Sequence, residues 1–157
     1  MKGRTAFLFS VMFAFLFAGV AHGEPLLKKT ISLEDARKVA AAAAAEARKN
    51  KWNMAIAVVD DSGLLVYFER MDETQFGSID IAIGKARTAA AFKRPTKALE
   101  DALNASQPAI LSFPNTLPRE GGLPLMSGGN VVGAIGASGG KSSEDAQVAK
   151  AGTDALK

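Results

Sequence analysis

Two pairs of short apolar runs, each folded about a turn, constrain this chain most. The first pair is Met54 to Val59 and Leu64 to Phe68, both rich in β-branched and aromatic residues, with Asp60, Asp61, Ser62 and Gly63 as turn residues between them. The second is Leu123 to Met126 and Val131 to Ala137, joined by a turn over Ser127 to Asn130. Runs this short cannot be independent helices, and their spacing predicts two β-hairpins. Gly133 and Gly136 remove side chains within the last run, as strands do where a helix or a ligand lies close to the backbone.

Helical patterns fill the intervals. Ser32 and Asp35 match a capping spacing, and Leu33, Ala36, Val39, Ala40, Ala43 and Ala47 form a narrow apolar stripe ending near Lys49. A second helix is predicted from about Ser78 to Phe92, with Ile79, Ala82, Ile83, Ala86 and Ala90 on one face and Pro95 beyond its end. Thr96 is placed to cap a brief helix over Lys97 to Asn104. Pro108, Pro114 and Pro118 break the next segment into an irregular loop, and Ser142 or Ser143 caps a last helix, Glu144 to Leu156. The order helix, hairpin, helices, hairpin, helix predicts an α+β domain, an antiparallel sheet covered by helices.

The N-terminus carries a different signal. Lys2 and Arg4 precede an uncharged apolar run from Ala6 to Val20, and small residues follow at Ala21 and Gly23, the three-part pattern of a secretory signal peptide. The run is too short for a bilayer-spanning anchor, which takes roughly 20 residues. The expectation is a cleaved segment 1–23, with processing after Ala21 or Gly23, a single domain over 24–157, a periplasmic or secreted product and no stable membrane anchor. Cleavage removes two of the 19 basic residues and none of the 16 acidic ones, so a formal charge of +3 falls to +1. A nearly neutral body with interspersed signs gives no basis for nucleic-acid binding. With no cysteine, an exported domain must hold without disulfides.

The same inventory limits the chemistry. There is no cysteine, and the only histidine, His22, lies at the end of the segment expected to be removed, so a histidine-ligated site is excluded unless processing after Ala21 leaves His22 at the new N-terminus. Gly136 to Gly140 spells a nucleophile elbow around Ser138 but lacks the histidine base that chemistry requires. Gly140-Lys141-Ser142 resembles the end of a P-loop, yet the leading glycine position is Ile135. Asp60, Asp61 and Asp72 are turn residues first and do not make a metal set.

The blocks VVDDSGLLVYFERMD, DIAIGKARTAAAF, GGLPLMSGGNVVGAIGASGG and SSEDAQVAKAG, in this order, resemble the GlcG/HbpS family of haem-binding proteins, over about Ile31 to Gly152. That resemblance implies a profilin-like domain with a central antiparallel sheet, assembly into a homo-oligomer, and haem as a possible cofactor. Alanine-rich helix faces are expected to be buried between subunits. Haem iron takes His, Cys, Met or Tyr, and the body offers Met54, Met71, Met126 and Tyr67. Met71, at a strand end beside Arg70, is the best placed of these, with a role as a core side chain as its alternative.

Arg70, Lys85, Arg87 and Arg119 are candidate donors to a propionate or to another small acid, or simply exposed cations. Gly121 and Gly122, like Gly139 and Gly140, could offer a turn of amides to an anion. The expected site, for haem or a similar planar acidic small molecule, therefore combines Met71, Arg70, Lys85, Arg119, Gly121 and Gly122. Two alternatives stay open: an enzyme without a cofactor, using Lys85, Arg119 or Asp145 on a small organic acid, and an accessory structural oligomer.

Overall fold

A computed structural model describes residues 26–156; the expected signal segment, its cleavage positions and His22 lie outside the described residues. The elements are α1 (Leu33–Lys49), β1 (Ala55–Asp60), β2 (Leu65–Arg70), α2 (Gly77–Phe92), α3 (Lys97–Asn104), a 3-10 turn (Pro108–Ser112), β3 (Gly122–Ser127), β4 (Asn130–Ser138) and α4 (Ser142–Ala155). Both hairpins form, and they join through β1 and β4 to give one antiparallel sheet in the order β2-β1-β4-β3. The expected α+β class is the one observed.

Alternation along the central strands assigns the two faces. Ile56, Val58, Ile135 and Ala137 point to one side, where they pack with Val39, Ala40, Ala43, Val148 and Ala149 of α1 and α4. Ala55, Ala57, Val59 and Ala134 point to the other and meet Ala82, Ala86 and Ala89 of α2. Small residues on both partners let α2 lie almost on the sheet. At Gly136 a Cβ would stand 2.1 Å from the Ala82 carbonyl oxygen and 2.6 Å from the Ala86 nitrogen.

The alanine faces are thus consumed inside the subunit: Ala36, Ala40, Ala43, Ala47, Ala82, Ala86 and Ala89 are all fully buried within one chain. They are not available as the subunit interface that the sequence suggested.

The start of β2 and the caps of α3 and α4 differ from expectation, each for a local reason. β2 starts at Leu65 and reaches Arg70 because Leu64 closes the turn. Its carbonyl accepts from the Asp60 amide at 2.8 Å, while Asp60 Oδ1 accepts from the amides of Ser62 and Leu64 at 2.8 and 2.9 Å. Ser32 does cap α1, its Oγ accepting from the Asp35 amide at 3.1 Å. Thr96 does not cap α3 with its side chain. Its hydroxyl instead accepts from the Gly122 amide at 2.9 Å, tying the α2–α3 connection to the start of β3. Neither Ser142 nor Ser143 caps α4, because carboxylates of its first turn reach back: the Lys141 amide donates to Glu144 Oε2 at 2.9 Å and the Gly140 amide to Asp145 Oδ1 at 3.0 Å.

Candidate functional site

The six residues expected to share a site fall into two groups. Arg70 ends β2 and Met71 follows it; Gly122 opens β3 and Gly121 precedes it. Arg70 is level with Ala55, and Ala55 with Ser138, so both groups lie toward one end of the sheet. They nevertheless occupy opposite edges. Three inter-strand steps separate β2 from β3, roughly 14 Å at the usual strand spacing. The structure brings Lys85, Arg119, Gly121 and Gly122 together and leaves Arg70 and Met71 apart from them.

At the β2 edge, a surface cleft of about 390 Å³ is lined by Arg48, Asn53, Glu69, Arg70, Met71 and Asp72. The Met71 amide donates to the Met54 carbonyl at 3.0 Å, continuing the strand ladder by one residue and fixing where the side chain leaves the backbone. That side chain is half-buried, touching the core cluster on one side and lining the cleft on the other. The expected alternative, a core side chain, is thus met in part, with the rest of the residue in the cleft lining. Arg48 Nη2 is held by Glu69 Oε1 at 2.9 Å. The Arg70 guanidinium lies 5.2 Å from the centroid of the exposed Phe76 ring, where the face of the π-system attracts it. The other soft or phenolic candidates are placed differently: Met54 is fully buried, Met126 is exposed near the far end of β3, and Tyr67 packs against the core.

At the β3 edge, the centre is a buried ion pair. Lys85 projects from α2 so that Nζ donates to Asp145 Oδ2 at 2.6 Å and to the Ala137 carbonyl at 3.0 Å. The two side chains are 1% and 4% exposed. Gly121 covers them: at φ +115° it adopts a backbone that other residues avoid, and a Cβ there would stand 2.7 Å from the Asp145 Cβ and 2.9 Å from Lys85 Nζ. Gly122 is excluded from change by the Lys85 carbonyl, 2.5 Å from where its Cβ would be.

Burial pushes the Lys85 ammonium below the ordinary lysine range and the Asp145 carboxyl above the ordinary carboxylate range. Each shift is opposed by the other partner, and the Gly140 and Gly139 amides further favour the Asp145 carboxylate. Sealed in this way, Lys85 joins α2, β4 and α4; it does not present its amine to a ligand as the sequence suggested.

Arg119 is exposed and pairs with Glu100 Oε1 at 3.1 Å, while Glu100 Oε2 accepts from the Glu120 amide at 2.8 Å. The two glycine turns read as anion sites have internal acceptors instead. The Gly122 amide goes to Thr96, and the Gly140 amide to Asp145. Thr96 and Glu100 were not identified as site residues from the sequence. Their partners are 26 and 20 residues away, and no local pattern marks such a pairing. Among the described residues no three His, Cys, Asp or Glu side chains cluster to hold a metal ion, and no helix is long and apolar enough to cross a membrane.

Residues 31–154 match the model of the HbpS-like family, described as haem degrading protein HbpS-like. Protein GlcG of Escherichia coli strain K12 is 40% identical over 111 residues, which span 71% of this chain and 83% of that protein. A crystal structure of a double mutant of HbpS from Streptomyces reticuli superposes with a TM-score of 0.81 at 35% identity, over 87% of this chain and 93% of that one. The PduOC:heme complex gives a TM-score of 0.75 at 25% identity, over 82% and 96% of the two chains.

Proposed function

This chain belongs to the HbpS-like family, and from that premise we propose that it binds haem, or a similar flat acidic ligand, in the cleft at the end of β2. The observation that carries the placement is Met71, a half-buried thioether lining a cleft that Arg48 and Arg70 also line. A thioether is a soft contact for iron or for the edge of a macrocycle, and guanidinium groups pair with carboxylates in a bidentate fork. Bound there, haem would supply its own iron chemistry. The chain would supply a soft contact from Met71 and a propionate partner from Arg70, whose guanidinium joins no ion pair among the described residues. A direct role for Lys85 or Asp145 on a small organic acid is disfavoured by their burial beneath Gly121.

Titrating haem while following the visible spectrum tests this reading. The parent is expected to give a saturable spectral change that Met71→Ala and Arg70→Ala each weaken by about tenfold, the loss of one contact worth about 1.4 kcal/mol. Arg119→Ala, at the other edge, should leave it unchanged. A parent without spectral change rejects haem; weakening by Arg119→Ala alone moves the ligand to the β3 edge.

The proposal extends to export and assembly. Residues 1–23 are read as a cleaved signal, and the mature protein as a periplasmic or secreted homo-oligomer. With the alanines already buried, self-association would draw on exposed apolar side chains such as Phe76 and Leu65, which are 79% and 46% exposed. Protein from the native host should give an intact mass that starts at residue 22 or 24, and light scattering should return a multiple of that mass. A chain starting at Met1, or a monomer at every concentration, would refute the corresponding half.

A further inference from the structure

We propose a second ligand site, separate from the β2-end cleft, at Arg87 on the outer side of α2, built for a small organic monoanion with an apolar body. Two adjoining clefts share Arg87 and Asn115 as lining residues. One, of about 390 Å³, runs to Leu64 and Pro114; the other, of about 290 Å³, runs to Phe113 and Leu117. The first is within the size range of small-molecule sites, and the second adjoins it.

The Arg87 Nε donates to the Gly63 carbonyl at 3.3 Å, which orients the guanidinium. Among the described residues its terminal nitrogens have no acceptor, and it joins no ion pair. Arg48 and Arg119, by contrast, are already paired with Glu69 and Glu100.

The wall opposite Arg87 is held in place. Thr88 Oγ1 donates to the Gly84 carbonyl and accepts from the Leu117 amide, both at 2.8 Å, and the Phe113 ring stacks on Phe92 with centroids 5.8 Å apart. Asn115, at φ +53°, a conformation that asparagine tolerates, lines both clefts.

The lining selects the class of ligand. Arg87 is the one cation lining either cleft, so a single negative charge is matched and a polyanion is not. The neighbouring turn adds no free charge: Asp60 Oδ1 accepts from the Ser62 and Leu64 amides, and Asp61 is paired with Lys28. Leu64, 65% exposed, and Phe113, 42% exposed, offer apolar surface to the body of the ligand. A carboxylate in the fork of Arg87, with a short hydrocarbon chain along Leu64 or Phe113, satisfies all of these groups together.

Octanoate and its neutral analogue octanol are the probes, titrated into the mature protein and followed by amide chemical shifts. Octanoate is expected to saturate with shifts centred on residues 62–64, 84–91 and 113–117, and octanol to bind about tenfold more weakly, the loss of one charge-assisted pair. Arg87→Gln should weaken octanoate about tenfold as well, while Arg37→Gln, an exposed cation on α1, should not. Equal binding of octanoate and octanol, shifts elsewhere, or an unaffected Arg87→Gln variant would each overturn the site. So would Arg87→Gln lowering the oligomer mass, which would mark the clefts as a subunit contact. None of these readings depends on haem, so failure here leaves the β2-end proposal standing, and the reverse.

Discussion

Asp145→Ala is expected to destabilise the protein by about 3–5 kcal/mol, the usual cost of leaving one half of a buried ion pair behind. Lys85 would keep its place beneath Gly121 with the Ala137 carbonyl as its remaining partner, and the Gly140 amide would lose its acceptor. Lys85→Met should cost a similar amount by stranding the carboxylate. The double replacement Lys85→Met with Asp145→Leu should recover most of the loss, because apolar groups of similar volume need no partner.

The two single variants should also differ in their response to pH. With Asp145 gone, the Lys85 ammonium falls further below the ordinary lysine range, so the folded state holds fewer protons than the unfolded one. Stability then rises as pH is raised through the window between those two values. With Lys85 gone, the Asp145 carboxyl rises further, the folded state holds more protons, and stability falls as pH rises above the ordinary carboxylate range. Urea denaturation across pH checks both. Single variants that cost less than about 1 kcal/mol, or that share one pH dependence, would remove the pair from the centre of the fold.

The second large effect is expected at Gly136. Valine favours strands, yet Gly136→Val should cost at least ~3 kcal/mol, above the usual range for an overpacked core, because the added Cβ meets helix backbone that cannot rotate away. The Ala82 carbonyl oxygen and Ala86 nitrogen lie 2.1 and 2.6 Å from that position. Accommodation requires α2 to lift off β1 and β4, exposing a layer of fully buried alanines. Gly136→Ala should already show most of the effect. Gly77→Ala, at the start of the same helix with nothing within 4 Å, should be neutral or stabilise by up to ~1 kcal/mol. Thermal unfolding followed by circular dichroism measures all three, and a Gly136→Ala change within about 0.5 kcal/mol of the parent would contradict the close approach.

Local features of this fold were legible because they are written in local periods. Both hairpins, the Ser32 cap and the stripe of α1 follow from residues within a few positions of each other. The arrangement of the hairpins is not local. Arg70-Met71 and Gly121-Gly122 both stand at strand ends, which suggested convergence. Pairing of β1 with β4 sends β2 and β3 to opposite edges instead, and no residue within either hairpin announces that choice. Lys85 read as a surface cation for the same reason: its partner lies 60 positions away, on a helix whose direction depends on the sheet.

The alanine and glycine layer between α2 and the sheet also bears on how such a protein can change. Helix and strands are so nearly in backbone contact that no guest can be stored between them; recognition is left to side chains on the perimeter. Substitutions there, at strand ends and in the 113–117 loop, leave the shared frame undisturbed. A chain of this architecture can thus diverge at its perimeter while keeping its fold, since the surface and the support are different residues.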